Sequence, residues 1–170
     1  MQALVNKAQV SLPSDTEVRV TRDFKAPRTL VWQAHTDPKL IVRWMLGPPG
    51  WSMPVCEMDV RSGGKYRWRW RSNEGGQEFG FFGQFLEVDA PARMKHEENF
   101  DPGDVGGSMD ISQPAIIRTA FTEKNGVTSL EMVMKFPSKE IRDAAVSTGM
   151  TDGMEMGYER LDQMFAEEGA

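Results

Sequence analysis

Residues 150–165 read MTDGMEMGYERLDQMF, and the spacing within this stretch decides the fold. A helical step of 100° per residue puts Met150, Met154, Tyr158, Leu161 and Phe165 on one face. Glu155, Glu159, Asp162 and Gln163 fall on the opposite face, while Gly157 sits inside the apolar stripe and Gly153 at its edge. A glycine costs a helix interior about 1 kcal/mol relative to alanine, so two on a packing face need a reason. Either another backbone comes close or space is left beneath the helix. We read the pattern as space for a small, largely apolar guest, with Gly153 and Gly157 providing the clearance.

The rest of the chain supplies what such a helix packs against. Residues 16–24 alternate Val18 and Val20 with Arg19 and Thr21, which is a half-buried strand. Pro27 opens a short helix over 27–35, with Leu30, Val31 and Ala34 inward and Trp32 as the bulky anchor. Asp37 caps a second, through Trp44, with Pro38 in its first turn. Gly47-Pro48-Pro49-Gly50 then breaks the chain.

Short strands follow at 53–59, 65–71, 78–88, 93–98, 115–123 and 127–136. The clearest is KYRWRWR at 65–71, with Tyr66, Trp68 and Trp70 on one face and Lys65, Arg67, Arg69 and Arg71 on the other. Asn125-Gly126 is a strong hairpin signal. Residues 99–114, rich in glycine, proline and aspartate, read as a long loop, either a lid, a binding loop or a flexible connection. Ser138 is a credible helix cap, and Ser147-Thr148-Gly149 reads as a stop and restart before the terminal helix.

The class is therefore α+β: one strand, two short helices, a run of antiparallel strands and a long C-terminal helix. A sheet with one apolar face must cover it, and the terminal helix is the only sizeable amphipathic element available. We expect a curved sheet wrapped around that helix, as a single domain over 16–168 with an N-terminal extension over 1–15.

The composition narrows the function classes. The 170 residues carry a net charge of −5, which argues against nucleic acid as a partner. Cys56 is the lone cysteine, so no internal disulfide forms, and a cytoplasmic location is the simplest expectation. Nothing near the N-terminus has the form of a signal peptide, and no apolar run of about 18 residues suggests a membrane span. Twelve methionines suit core filling or an adaptable apolar surface.

Taken in order, APRTLVWQAHTDP, RW followed by GPPGW, MDVRSGGKYRWRW, EFGFFGQFLEVDAP, NGVTSLEM and STGMTDGMEMGYERLDQMF give a recognisable series. The series resembles the activator of heat-shock-chaperone ATPase homologue family, within the START-like or SRPBCC ligand-binding superfamily, over about residues 16–166. The resemblance implies a helix-grip fold with an apolar cavity between the terminal helix and the curved sheet. It also implies two kinds of partner, a small hydrophobic molecule or a chaperone. No catalytic residue set carries over with it, since a fold of this kind serves many functions.

The expected cavity wall comprises Tyr66, Trp68, Trp70, Phe79, Phe81, Ile117, Thr119, Met132, Met134, Met150, Met154 and Tyr158. The same aromatics are equally well explained as core. His96 shares a strand face with Met94 and would enter the cavity as a lone polar group, or else be a satisfied structural histidine. The histidines, His35 and His96, lack metal-ligand spacing, Asp101, Asp104 and Asp110 do not match a Ca²⁺ loop, and no cofactor motif occurs.

Arg67, Arg69 and Arg71 form a basic ribbon that is either a solvated exterior or a docking patch for an acidic partner. Serine-nucleophile and phosphate-loop motifs are absent. An enzyme of cyclase type would have to draw on Tyr66, His96, Thr119 and Tyr158. Binding of a small hydrophobic or amphipathic ligand is the preferred reading, with a chaperone regulator second and a small-molecule enzyme third.

Overall fold

The computed structural model describes residues 4–103 and 113–168. Its elements are β1 (Gln9–Ser11), β2 (Glu17–Phe24), α1 (Arg28–Thr36), α2 (Pro38–Trp44), β3 (Trp51–Met58) and β4 (Lys65–Ser72). After these come β5 (Glu78–Asp89), β6 (Arg93–Asp101), β7 (Ala115–Lys124), β8 (Val127–Lys135), α3 (Lys139–Ser147) and α4 (Met150–Glu168). The strands form one antiparallel sheet in the order β1-β2-β8-β7-β6-β5-β4-β3. Every neighbour from β3 to β8 is consecutive in sequence. The chain crosses the sheet once, between β2 and β3, and α1 and α2 make that crossing.

Local chemistry sets these boundaries. The Asp37 side chain accepts a hydrogen bond from the Lys39 amide, and Ser138 accepts one from Ile141, so both caps act as the sequence predicts. Asn125 and Gly126 take φ of 54° and 78°, the geometry of a two-residue hairpin. Gly149, at φ 80°, ends α3 and lets α4 start in a new direction.

Two boundaries differ from the sequence reading. The N-terminal extension contributes the edge strand β1, and the Ala8 amide donates to Glu155 Oε1 at 2.8 Å. Strand β6 runs on to Asp101 because Phe100 packs on Phe79 and Phe81, with ring centroids 6.3 and 5.4 Å apart. Most of the loop expected over 99–114 lies in 104–112, outside the described residues.

Register brings the inward residues into rows across the strands. Val18, Met134, Ile117, His96 and Phe85 form one row; Val20, Met132, Thr119, Met94 and Val88 form the next. Helix α4 crosses this concave face at the β2 side. Tyr158 and Phe165 meet the Phe24 ring edge-on at 5.4 and 6.0 Å, and Leu161 is wholly buried.

Beneath α4 lies Arg22, which continues the inward alternation of Val18, Val20 and Phe24 on β2. It is 1 % exposed and pairs with both Glu155 and Asp162 at 2.8 Å. The sequence reading put these carboxylates on the solvent side of α4. They instead clamp the helix to β2, since a buried guanidinium needs compensating charge.

The two glycines of α4 also require correction. A side chain at Gly157 would begin 3.0 Å from the Trp44 carbonyl oxygen and 3.3 Å from its indole, and at Gly153 it would touch Gly47 and Pro48. Arg160 reinforces the crossing by donating to the Trp44 and Gly47 carbonyls. Of the two explanations for these glycines, close backbone approach holds at Gly157. The volume read as clearance is occupied by α2 and the segment after it.

Candidate functional site on the concave face

Strand alternation carries Tyr66, Trp68 and Trp70 of β4 inward, opposite Gly83, Phe81 and Phe79 of β5. On β6 the inward positions are Met94, His96, Glu98 and Phe100; on β7 they are Ala115, Ile117 and Thr119. Met132 and Met134 continue the surface on β8. Met150 and Met154 are partly buried against the core from α4. The strand residues share one inner face dominated by aromatic rings. Tyr66 and Trp68 lie 4.5 Å apart, and Tyr66 meets His96 edge-on at 5.2 Å.

Hydrogen bonding divides the polar members. Tyr66 donates its hydroxyl to the Glu97 carbonyl at 2.7 Å, and Trp70 donates its indole N–H to the Met45 carbonyl at 2.7 Å. These two are fixed by the protein itself. Trp68 Nε1, His96 Nδ1 and Thr119 Oγ1 are buried with no partner among the described residues. An orphaned buried polar group costs about 1–3 kcal/mol, so three on one face is a large concession by the fold.

The same face bears an acid that the sequence reading passed over. Glu98 follows His96 by two residues and opposes Ala115. It lies within the strand read over 93–98, and the alternation of Met94 and His96 extends to it. Loss of water pushes its carboxyl up to about 7. Tyr66 is raised too, first by burial and then by the charges of Glu98 and Glu97. Burial lowers His96 to about 4, so its imidazole is neutral near pH 7.

Tyr158 does not join this group. It stacks on Trp44 at 5.9 Å and lies beneath the Arg22 guanidinium, which is 5.6 Å from its ring. The four residues named for an enzyme therefore divide: Tyr66, His96 and Thr119 share the β4–β7 surface, and Tyr158 belongs to the α2–α4 contact. His35 is likewise structural in position, with Nδ1 bonded to the Val31 carbonyl at 2.8 Å.

The outer face of the sheet also differs from expectation. Arg69 is held between Glu78 at 3.0 Å and Asp101 at 2.5 Å, which leaves only Arg67 and Arg71 of the ribbon exposed. A separate groove of about 220 Å³ on this face is edged by Arg93, Lys95, Arg118, Glu87 and Glu131. Among the described residues no group of histidine, cysteine or acidic side chains is placed to hold a metal, and no helix is long and apolar enough to cross a membrane.

The profile of the family described as Activator of Hsp90 ATPase homolog 1-like protein matches residues 25–166. The chain belongs to that family. A crystal structure of a Rhodobacter sphaeroides protein superposes with a TM-score of 0.84 at 28% identity, covering 95% of this chain and 99% of that one. A Mycobacterium smegmatis protein gives 0.77 at 22% identity, covering 94% and 96%. The AHSA1-like protein from Aeromonas hydrophila gives 0.66 at 19%, covering 86% and 93%. These likenesses establish the helix-grip fold of START-like proteins. No curated protein matches the chain.

Proposed function

We propose that the concave face of β4–β8 binds a small amphipathic molecule. The observation that carries this reading is the set of three unpartnered atoms, Trp68 Nε1, His96 Nδ1 and Thr119 Oγ1, on one aromatic-lined surface. A guest with matching polar atoms would relieve their lost hydration, while its apolar body would lie on Tyr66, Phe81, Ile117 and Met134. Glu98 adds support: it is deep enough for its carboxyl to be desolvated, yet part of its surface is within reach of a water molecule. Both hold for a group that borders a hollow.

Native mass spectrometry of freshly purified protein tests the reading. A co-purified small molecule that is lost in an Ile117→Trp variant, which would place an indole over the surface, is the expected result. A protein that carries no guest and whose tryptophan fluorescence responds to no small amphiphile would overturn it.

One observation favours a second reading, regulation of a chaperone by direct contact. The family description names an ATPase activator, and Arg93, Lys95 and Arg118, interspersed with Glu87 and Glu131, edge an outer groove that offers a charged surface to a partner. Capture of the chaperone by the wild type, lost when all three are changed to Glu, would support it. Unchanged capture would assign the contact elsewhere.

A further inference from the structure

We propose that the guest of this inner surface is an organic amine, its ammonium group held by the Glu98 carboxylate and the aromatic faces beside it. The proposal deepens the binding reading and rests on it.

Glu98 is the starting point because its surroundings differ from those of every other shielded acid described above. Glu155 and Asp162 meet Arg22; Glu78 and Asp101 meet Arg69. Among the described residues Glu98 meets no cation and no hydrogen-bond donor, and burial alone accounts for its raised pKa. Across the strand it faces Ala115, which offers nothing polar from its side chain. Tyr66 approaches from β4, but its hydroxyl is committed to the Glu97 carbonyl. His96 follows the same inward phase, and burial keeps it neutral, so it supplies no counter-charge. An uncompensated carboxylate in such a place is either protonated or waiting for a cation from outside.

The walls suit a cation with an organic body. Phe100 is next in phase on β6 and packs 5.4 Å from Phe81, while Tyr66 and Trp68 stand 4.5 Å apart. Ring faces attract an ammonium group, more strongly when water is excluded. The unpartnered Trp68 indole can only donate, so it calls for an acceptor oxygen on the same guest. The chain's net charge of −5 favours approach of a cation over an anion. Together these features specify an amphipathic amine bearing an oxygen acceptor. On binding below neutral pH, Glu98 would release its proton and the ammonium would take over as its partner.

Isothermal titration of the full chain with 2-phenoxyethylamine, 2-phenoxyethanol and 3-phenoxypropionate separates the alternatives, since the three share an apolar body with an ether oxygen and differ in charge. At about pH 8 the amine is expected to bind about tenfold more tightly than the alcohol, with the acid weakest. Glu98→Gln should remove that preference and leave the alcohol's affinity within about twofold, which also reports that the surface is intact. Comparing the wild type at about pH 8 and pH 5.5 needs no variant: the amine preference should shrink at the lower pH as Glu98 takes its proton. An amine no tighter than the alcohol, or a preference that survives in Glu98→Gln, overturns the proposal and leaves the binding reading standing. No binding by any of the three overturns both.

Discussion

Under α4, Arg22 is wholly buried and each of its three nitrogens has an oxygen partner; across β4–β7, Trp68 Nε1, His96 Nδ1 and Thr119 Oγ1 are buried and find none among the described residues. The first region joins β2 to the terminal helix through Phe24, Tyr158, Leu161 and Phe165 and closes over its charges. The second presents aromatic rings and unmatched polar atoms to one another. The closed region breaks its own rule once, at His35 Nε2, whose ring is wedged between Trp44 and Phe121 at 4.9 and 5.0 Å. The difference suggests a division of labour: one half of the interior supplies stability, and the other leaves hydrogen-bonding capacity for something that is not protein.

Substitutions probe the contrast, the most disruptive first. Arg22→Met strands Glu155 and Asp162 against an apolar site and should lower unfolding stability by about 3–5 kcal/mol in urea titrations. A loss below about 1 kcal/mol would mean that the clamp is not holding α4.

Gly157→Leu should destabilise by about 1–3 kcal/mol, because the added side chain drives into Trp44. A gain would restore the idea of empty space beneath the helix. Gly153→Ala, where only ordinary contact with Gly47 and Pro48 awaits, should instead raise the melting midpoint by the equivalent of about 0.5–1 kcal/mol.

The third test uses pH. Glu98 ionises at about 7 in the fold against 4.5 for a free side chain, so the folded state holds an extra proton between these values. Its effect is to lower stability as pH rises through that window, with the loss complete above about 7. His96, lowered from 6.5 to about 4, acts oppositely: its contribution is present above 6.5 and is lost as pH falls towards 4. Glu98→Gln should therefore exceed wild-type stability at about pH 8 by on the order of 1–3 kcal/mol, and match it near pH 4.5. Equal denaturation midpoints at both pH values would show that Glu98 is not desolvated.

The smallest effect is expected from Thr119→Val. Removing an orphaned hydroxyl of nearly the same shape should be neutral or stabilising by up to about 1 kcal/mol, while weakening any guest that bonds to it. A clear destabilisation would reveal a hidden partner for Oγ1.

Much of this architecture was legible in the residues. Alternation in KYRWRWR and in 127–136 gave the inner face of the sheet, because side chains on a strand point to opposite sides whatever surrounds them. Ser138, Asp37 and Asn125-Gly126 gave the caps and the hairpin for a similar reason, since each acts within a few residues of itself. The candidate surface was largely legible too. Tyr66, Trp68, Trp70, Phe79, Phe81, His96, Ile117, Thr119, Met132 and Met134 share one face of the sheet. Glu98 obeys the same rule within the strand read over 93–98, but an acid at an inward position carries no local signal that marks it as buried rather than solvated.

By itself, then, the sequence determined the element types, their order and which residues of each strand look inward, all consequences of short-range periodicity. Only the tertiary structure decided what those inward residues meet. That Gly157 admits Trp44, that Glu155 and Asp162 answer Arg22, that Tyr158 lies apart from His96, and that Trp68 finds no acceptor all depend on contacts between segments far apart in the chain. The angle at which α4 crosses the sheet fixes those contacts, and no local pattern encodes that angle.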